Sequence, residues 1–199
     1  PEDSVDVSLN LPLPSDVDVS DVLSISVTGL PDVALVSVTL ADGSSVNNGD
    51  TLTLAEFQGL QFDTVLNATG SSDFNYAVSD GISTVNGIAT INIGGTNDMP
   101  VAVDNSYDTN EDTAFAGNVI TDDTGAGIDS DADGDILSVS AVNGQAAAVG
   151  SAIVLASGAT LTMQADGDFA YDPATSSAFN ALASGETATD SFTYTLDDG

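Results

Sequence analysis

The chain has 199 residues, of which 31 are acidic and none is Lys, Arg or His, so its formal net charge is −31, about one uncompensated charge per six residues. No side-chain salt bridge can form, and the cations that would displace counterions from nucleic-acid phosphate or hold an anionic membrane surface are missing. With no His, Cys, Lys or Arg there is no imidazole base, thiolate, Schiff-base amine or cationic oxyanion clamp, which removes most enzyme chemistries.

Disorder is not the expectation either, because 42% of the residues are hydrophobic and a core can be buried. A compact state at this charge works against its own field unless cations condense on it or bind it. Calcium is the obvious candidate. The absence of Cys removes disulfides, and no apolar run approaches the roughly 18–20 residues of a membrane span, so direct membrane insertion is not expected. The opening Pro1-Glu2-Asp3 is not a signal peptide and reads as a segment of something longer.

In chain order, Val5, Val7 and Leu9 alternate with polar residues, as do Leu23, Ile25 and Val27, and both runs predict half-buried strands. Thr51-Leu52-Thr53 reads as a further strand by β-propensity. Phe74, Tyr76 and Val78 alternate before the Asp80-Gly81 turn, and Ile91 and Ile93 close the first half. In the second half Leu137 and Val139 alternate, and Leu161–Met163 and Phe169–Tyr171 flank Asp166-Gly167 as a hairpin. Ser176 to Ala183 is the one helical hint, and Phe192, Tyr194 and Leu196 form the last strand.

The halves repeat one another. Glu2-Asp3-Ser4 recurs as Glu111-Asp112-Thr113, Asp21–Ser26 as Asp135–Ser140, and Asp73–Gly81 as Ser191–Gly199. Two all-β domains follow, 1–98 and 99–199, joined at Gly94–Pro100; many short strands with such turn spacing predict Greek-key β-sandwiches. The first copy runs on through Val85–Ile93 after its Asp-Gly turn, whereas the second stops at Gly199, so the second is expected to lack its final strand, by truncation or because a neighbouring chain donates it.

The chemistry is concentrated in Asp129-Ser130-Asp131-Ala132-Asp133-Gly134-Asp135. Alternating carboxylates on a tight, Gly-containing loop gather hard oxygens around one point, as Ca²⁺ requires for its six to eight ligands. The match to an EF-hand loop ends there, since Ser140 stands at the twelfth position, so further ligands must come from elsewhere. The first copy holds a weaker version, with Asp16 and Asp18 as candidates. Strand parity brings Asn97 and Asp98 to the end of the second domain that holds the acidic loop. The same parity places Glu2 and Asp3 at the adjoining end of the first domain, with Asp73 able to join them. Glu111 and Asp112, which repeat Glu2 and Asp3, complete the candidate ligands.

Thr96-Asn97-Asp98-Met99-Pro100, Asn110-Glu111-Asp112, the Asp-x-Asp-x-Asp-Gly-Asp loop and the closing Phe-x-Tyr-x-x-x-Asp-Gly together resemble the bacterial cadherin-like and VCBS-type repeats of giant surface adhesins secreted by type I systems. The resemblance implies cadherin-like sandwiches that act as calcium-rigidified extenders and hold an adhesive tip away from the cell. It implies a secreted, cell-surface location, a role in attachment or biofilm formation, and neighbouring repeats of the same protein as partners. A calcium-dependent carbohydrate-binding module, contacting a glycan or surface ligand, and a filament polymerised by strand complementation are the alternatives. Nothing pairs an acid with a base in a recognisable catalytic motif, so enzyme activity is not expected.

Overall fold

A computed structural model describes residues 1–18 and 21–199, in which the alternating runs become antiparallel strands of two units, Pro1–Thr96 and Asn97–Gly199. The first unit holds β1 (Val7–Ser8), β2 (Ser24–Gly29), β3 (Val36–Thr39), β4 (Thr51–Leu52), a short helix α1 (Leu54–Gln58), β5 (Gln61–Thr64), β6 (Gly70–Ser79) and β7 (Thr84–Ile93). They form two sheets, ordered β1-β5-β3 and β4-β2-β6-β7. Ile25, Val27 and Phe74 from one sheet and Val36 and Val38 from the other share one core with Phe57 and Leu60. Each large side chain so withdrawn from water contributes about 1.5–3 kcal/mol.

Two local departures from the alternation have physical causes. The run Val5, Val7, Leu9 yields only the two residues of β1, because Asp3, Asp6 and Asn10 turn the backbone into the left-handed region at φ 54°, 54° and 49°. Asp and Asn are the side chains that tolerate this conformation, since they can hydrogen-bond locally. Thr53 ends the Thr-rich run not as strand but as the N-cap of α1. Its backbone N–H donates to Glu56 Oε2 at 2.7 Å while its hydroxyl accepts from the Glu56 N–H at 3.2 Å. This reciprocal pair is a capping box, which places Phe57 in the core.

The second unit holds β8 (Phe115–Asn118), β9 (Ser138–Val142), β10 (Ala152–Val154), β11 (Thr160–Met163), β12 (Asp168–Asp172) and β13 (Tyr194–Asp197). Its sheets are ordered β10-β11-β12-β8 and β13-β9, and Val119, Val139, Val142, Leu161, Met163 and Phe169 lie between them. The Asp166-Gly167 hairpin forms, with Met163 opposite Phe169. The helical hint over Ser176 to Ala183 becomes one 3₁₀ turn, Phe179–Ala181, and another, Pro173–Thr175, precedes it.

The fold is therefore all-β, built of antiparallel sandwiches as the sequence predicts. β9 pairs with β13 as β2 pairs with β6, which fits the internal repeat. β6 also pairs with β7 along ten residues, whereas among the described residues β13 is paired with β9 alone. No described helix is long and apolar enough to cross a membrane.

Gly87 tests the packing of the first unit. It lies opposite Tyr76 across the β6–β7 pair, and a Cβ there would overlap the Tyr76 ring. That ring sits edge-on to Phe57 at 4.8 Å, so it has little room to retreat. Gly87→Ala is expected to cost about 1–3 kcal/mol, read as a lower urea midpoint with unchanged slope. An unchanged midpoint would show that the ring moves freely.

Candidate metal centre

Asp131 organises the acidic loop. Its Oδ1 accepts from the Asp133 N–H at 2.8 Å and the Asp135 N–H at 3.2 Å, so the side chain folds the backbone back toward itself. Gly134, at φ +78°, supplies the left-handed residue that the bend needs. The outcome is that carboxylate oxygens of Asp131, Asp133 and Asp135 lie within 4.8 Å of one another. Across from them, the Asp98 N–H donates to Asp133 Oδ2 at 2.7 Å, and the Asp98 and Asp133 carboxylates also come within 4.8 Å.

The other oxygen of Asp131, Oδ2, is buried and has no hydrogen-bond partner. A buried acceptor left unsatisfied costs roughly 1–3 kcal/mol, and more when charged. Like charges this close repel one another, and the chain holds no side-chain cation to relieve them. Hard anionic oxygens converging on one point, one of them buried and unpartnered, are the donor set of a hard divalent cation, and calcium fits it. Asp98, Asp131, Asp133 and Asp135 are the residues that would hold it.

The remaining candidate ligands of the second unit have partners or positions of their own. Asp129 is buried at 5% exposure; it accepts from the Val103 N–H at 2.7 Å and from the Tyr194 hydroxyl at 2.9 Å. Asn97 donates to Asp198 Oδ2 at 2.9 Å. Glu111 and Asp112 occupy a turn before β8. The segment from Val101, bridged to Ser130, runs through Asn105, bonded to the Asp122 carbonyl, to Thr109, and so carries them away from the acidic loop.

In the first unit, Glu2 accepts from the Thr96 N–H at 2.6 Å and donates its own N–H to the Gly94 carbonyl. Asp3 accepts from the Asn67 N–H, and Asp73 from the Thr90 hydroxyl across β6 and β7. Asp16 and Asp18 gather with Asp21, their oxygens within 4.8 Å, and Asp16 accepts from the Asp18 N–H. Val19 and Ser20 of that acidic segment lie outside the described residues.

Tyrosine is the functional partner that the sequence reading did not assign. The three tyrosines of the second unit each donate to a carboxylate: Tyr107 to Asp122 at 3.2 Å, Tyr171 to Asp190 at 3.1 Å, and Tyr194 to Asp129. Burial pushes the Tyr107 and Tyr171 hydroxyls up to about 12; the Asp122 charge adds to the first and the Asp190 hydrogen bond to the second. Burial and Asp129 push Tyr194 up as well.

The second unit is thus an all-β module with one loop at which carboxylates converge. The family model of the bacterial cadherin-like domain matches residues 97–199, and the chain belongs to that family. Domains of this kind are structural and adhesion modules, and calcium is their general ligand. No significant match was found among curated proteins or among solved structures.

The raised tyrosines predict an alkaline limit. An unfolded tyrosine loses its proton near 10, whereas Tyr107 and Tyr171 hold theirs to about 12 when folded. Their contribution is complete below pH 10 and is lost as pH rises from about 10 to about 12. Melting temperature should fall across that window, and Tyr107→Phe with Tyr171→Phe should flatten the fall. A parallel fall in the double variant would assign it to other groups.

Proposed function

We propose that this chain is a calcium-rigidified extender of a bacterial cell-surface adhesin, of the kind secreted by type I systems, serving attachment and biofilm formation. The observation that carries the reading is the Asp131 carboxylate: one oxygen shapes the loop, and the other is buried without a partner among the acids. Membership of the bacterial cadherin-like family supports an extracellular, adhesion-type setting. The neighbouring repeats of the parent protein are its partners, and the adhesive ligand is bound elsewhere.

The mechanism is linkage. Where calcium is scarce, self-repulsion among 31 carboxylates weakens the compact state and keeps the chain exportable. Outside, a metal that binds only the folded loop adds its binding free energy to folding. Asp98 follows Thr96 by two residues, so metal bound at Asp98 would also restrain the covalent connection between the units.

A second reading, complementation by a strand from a neighbouring chain, is favoured by β13 being paired on one side only among the described residues. Exposed strand edges template such pairing. Sedimentation of the chain over a range of concentrations separates the two: a monomer at high concentration removes the filament.

Melting in excess EDTA and in millimolar calcium tests the leading reading. Calcium at a hundred times its Kd should add about 2.7 kcal/mol, and Asp131→Ala should abolish the difference. The same variant should leave scattering profiles insensitive to calcium, while the wild type stiffens. Equal melting of the wild type in both buffers would sink the proposal.

A further inference from the structure

Asp129, the first acid of the loop segment, is bound up in an arrangement of its own. Its carboxylate accepts from Val103 N–H and from Tyr194 Oη, and its own N–H donates to the Ile120 carbonyl at 3.1 Å. The next residue, Ser130, exchanges backbone hydrogen bonds with Val101 in both directions, at 2.8 and 3.1 Å. The chain is therefore clamped immediately before Asp131.

On the far side of the loop the next fixed point is Ser138, which pairs with Asp197 of β13. Tyr194 belongs to the same strand. Both feet of the acidic loop are thus fastened to β13, one through a tyrosine hydroxyl and one through the backbone ladder. The hydroxyl has one proton to give; Val103 O and Val119 O also lie within 3.4 Å, but Asp129 Oδ2 is nearest at 2.9 Å.

We infer that Asp129 and Tyr194 are a buried positioning pair that holds the foot of the calcium loop, rather than Asp129 being a ligand, and that calcium affinity depends on the Tyr194 hydroxyl. The inference rests on the calcium reading above. A loop that must be ordered before it can bind gives up part of its affinity to that ordering, and a preformed foot removes this cost. Groups that orient ligands without touching the metal typically change affinity 10–100-fold when removed.

Calorimetric calcium titration of the 199-residue chain and two variants tests it. Tyr194→Phe removes only the hydroxyl and leaves Asp129 Oδ2 without a donor, so affinity should fall at least ~10-fold. Asp129→Asn keeps the shape, can still accept from Val103 N–H and can donate to the tyrosine oxygen, so its affinity should stay within about threefold, since hydrogen bonding at the foot is retained. The opposite order, with Asp129→Asn losing tenfold and Tyr194→Phe little, would make Asp129 a ligand and overturn the inference. Equal affinities in all three, with lower melting temperature for Tyr194→Phe in EDTA and calcium alike, would reduce the pair to a structural role and also overturn it. Should Tyr194→Phe fail to fold, Asp129→Asn alone decides, because a tenfold loss there is incompatible with a positioning role. A wild type that takes up no calcium fails the calcium reading itself, an outcome visible before either variant is made.

Discussion

Thirty-one carboxylates and no basic side chain is the constraint on which the rest of the structure depends. A protein with both signs of charge neutralises its acids with one another's neighbours. Here every partner of an acid must be a neutral donor or a cation from solution. Backbone N–H groups take the largest share, in turns closed by Asp16, Asp32, Asp42, Asp80, Asp123 and Asp131. Hydroxyl groups take the next, including all three tyrosines of the second unit. Where donors run out, at Asp131 Oδ2, the molecule has an oxygen that only something external can satisfy.

That distribution also separates stability from binding. The cores are ordinary sandwich interiors, and nothing in them needs a metal. The acids that close turns have their partners and are content in water; backbone donation holds Asp80 and Asp123 below the usual carboxylate range. Among the described residues, the loop after Ser130 combines proximity, burial and a missing donor.

The strands were legible because a sandwich core imposes period two, and Ile25 and Val27 or Leu161 and Met163 declare it locally. The acidic loop was legible for the same reason: its bonds join residues two and four apart. What escaped was either misassigned or non-local. Thr53 belongs to a Thr-x-x-Glu capping pattern that could have been read, and β-propensity hid it. The hydroxyl partner of Asp129, Tyr194, is 65 residues away in sequence, so no local spacing could show it. Glu111 and Asp112 repeat Glu2 and Asp3 in sequence, yet the path from Val101 to Thr109 carries them away from the loop.

The contact between Asn97 and Asp198 has a consequence for engineering. Asn97 and Asp198 lie within reach of one hydrogen bond, so a linker of a few residues can join these two positions. Units with adjoining termini accept circular permutation and insertion into the surface loops of other proteins. Residues 97–199 could be grafted into such a loop without prising it apart, and the acidic loop would then lie beside the graft point. If the loop takes up calcium as proposed, a host enzyme interrupted there would carry an insert that responds to the ion.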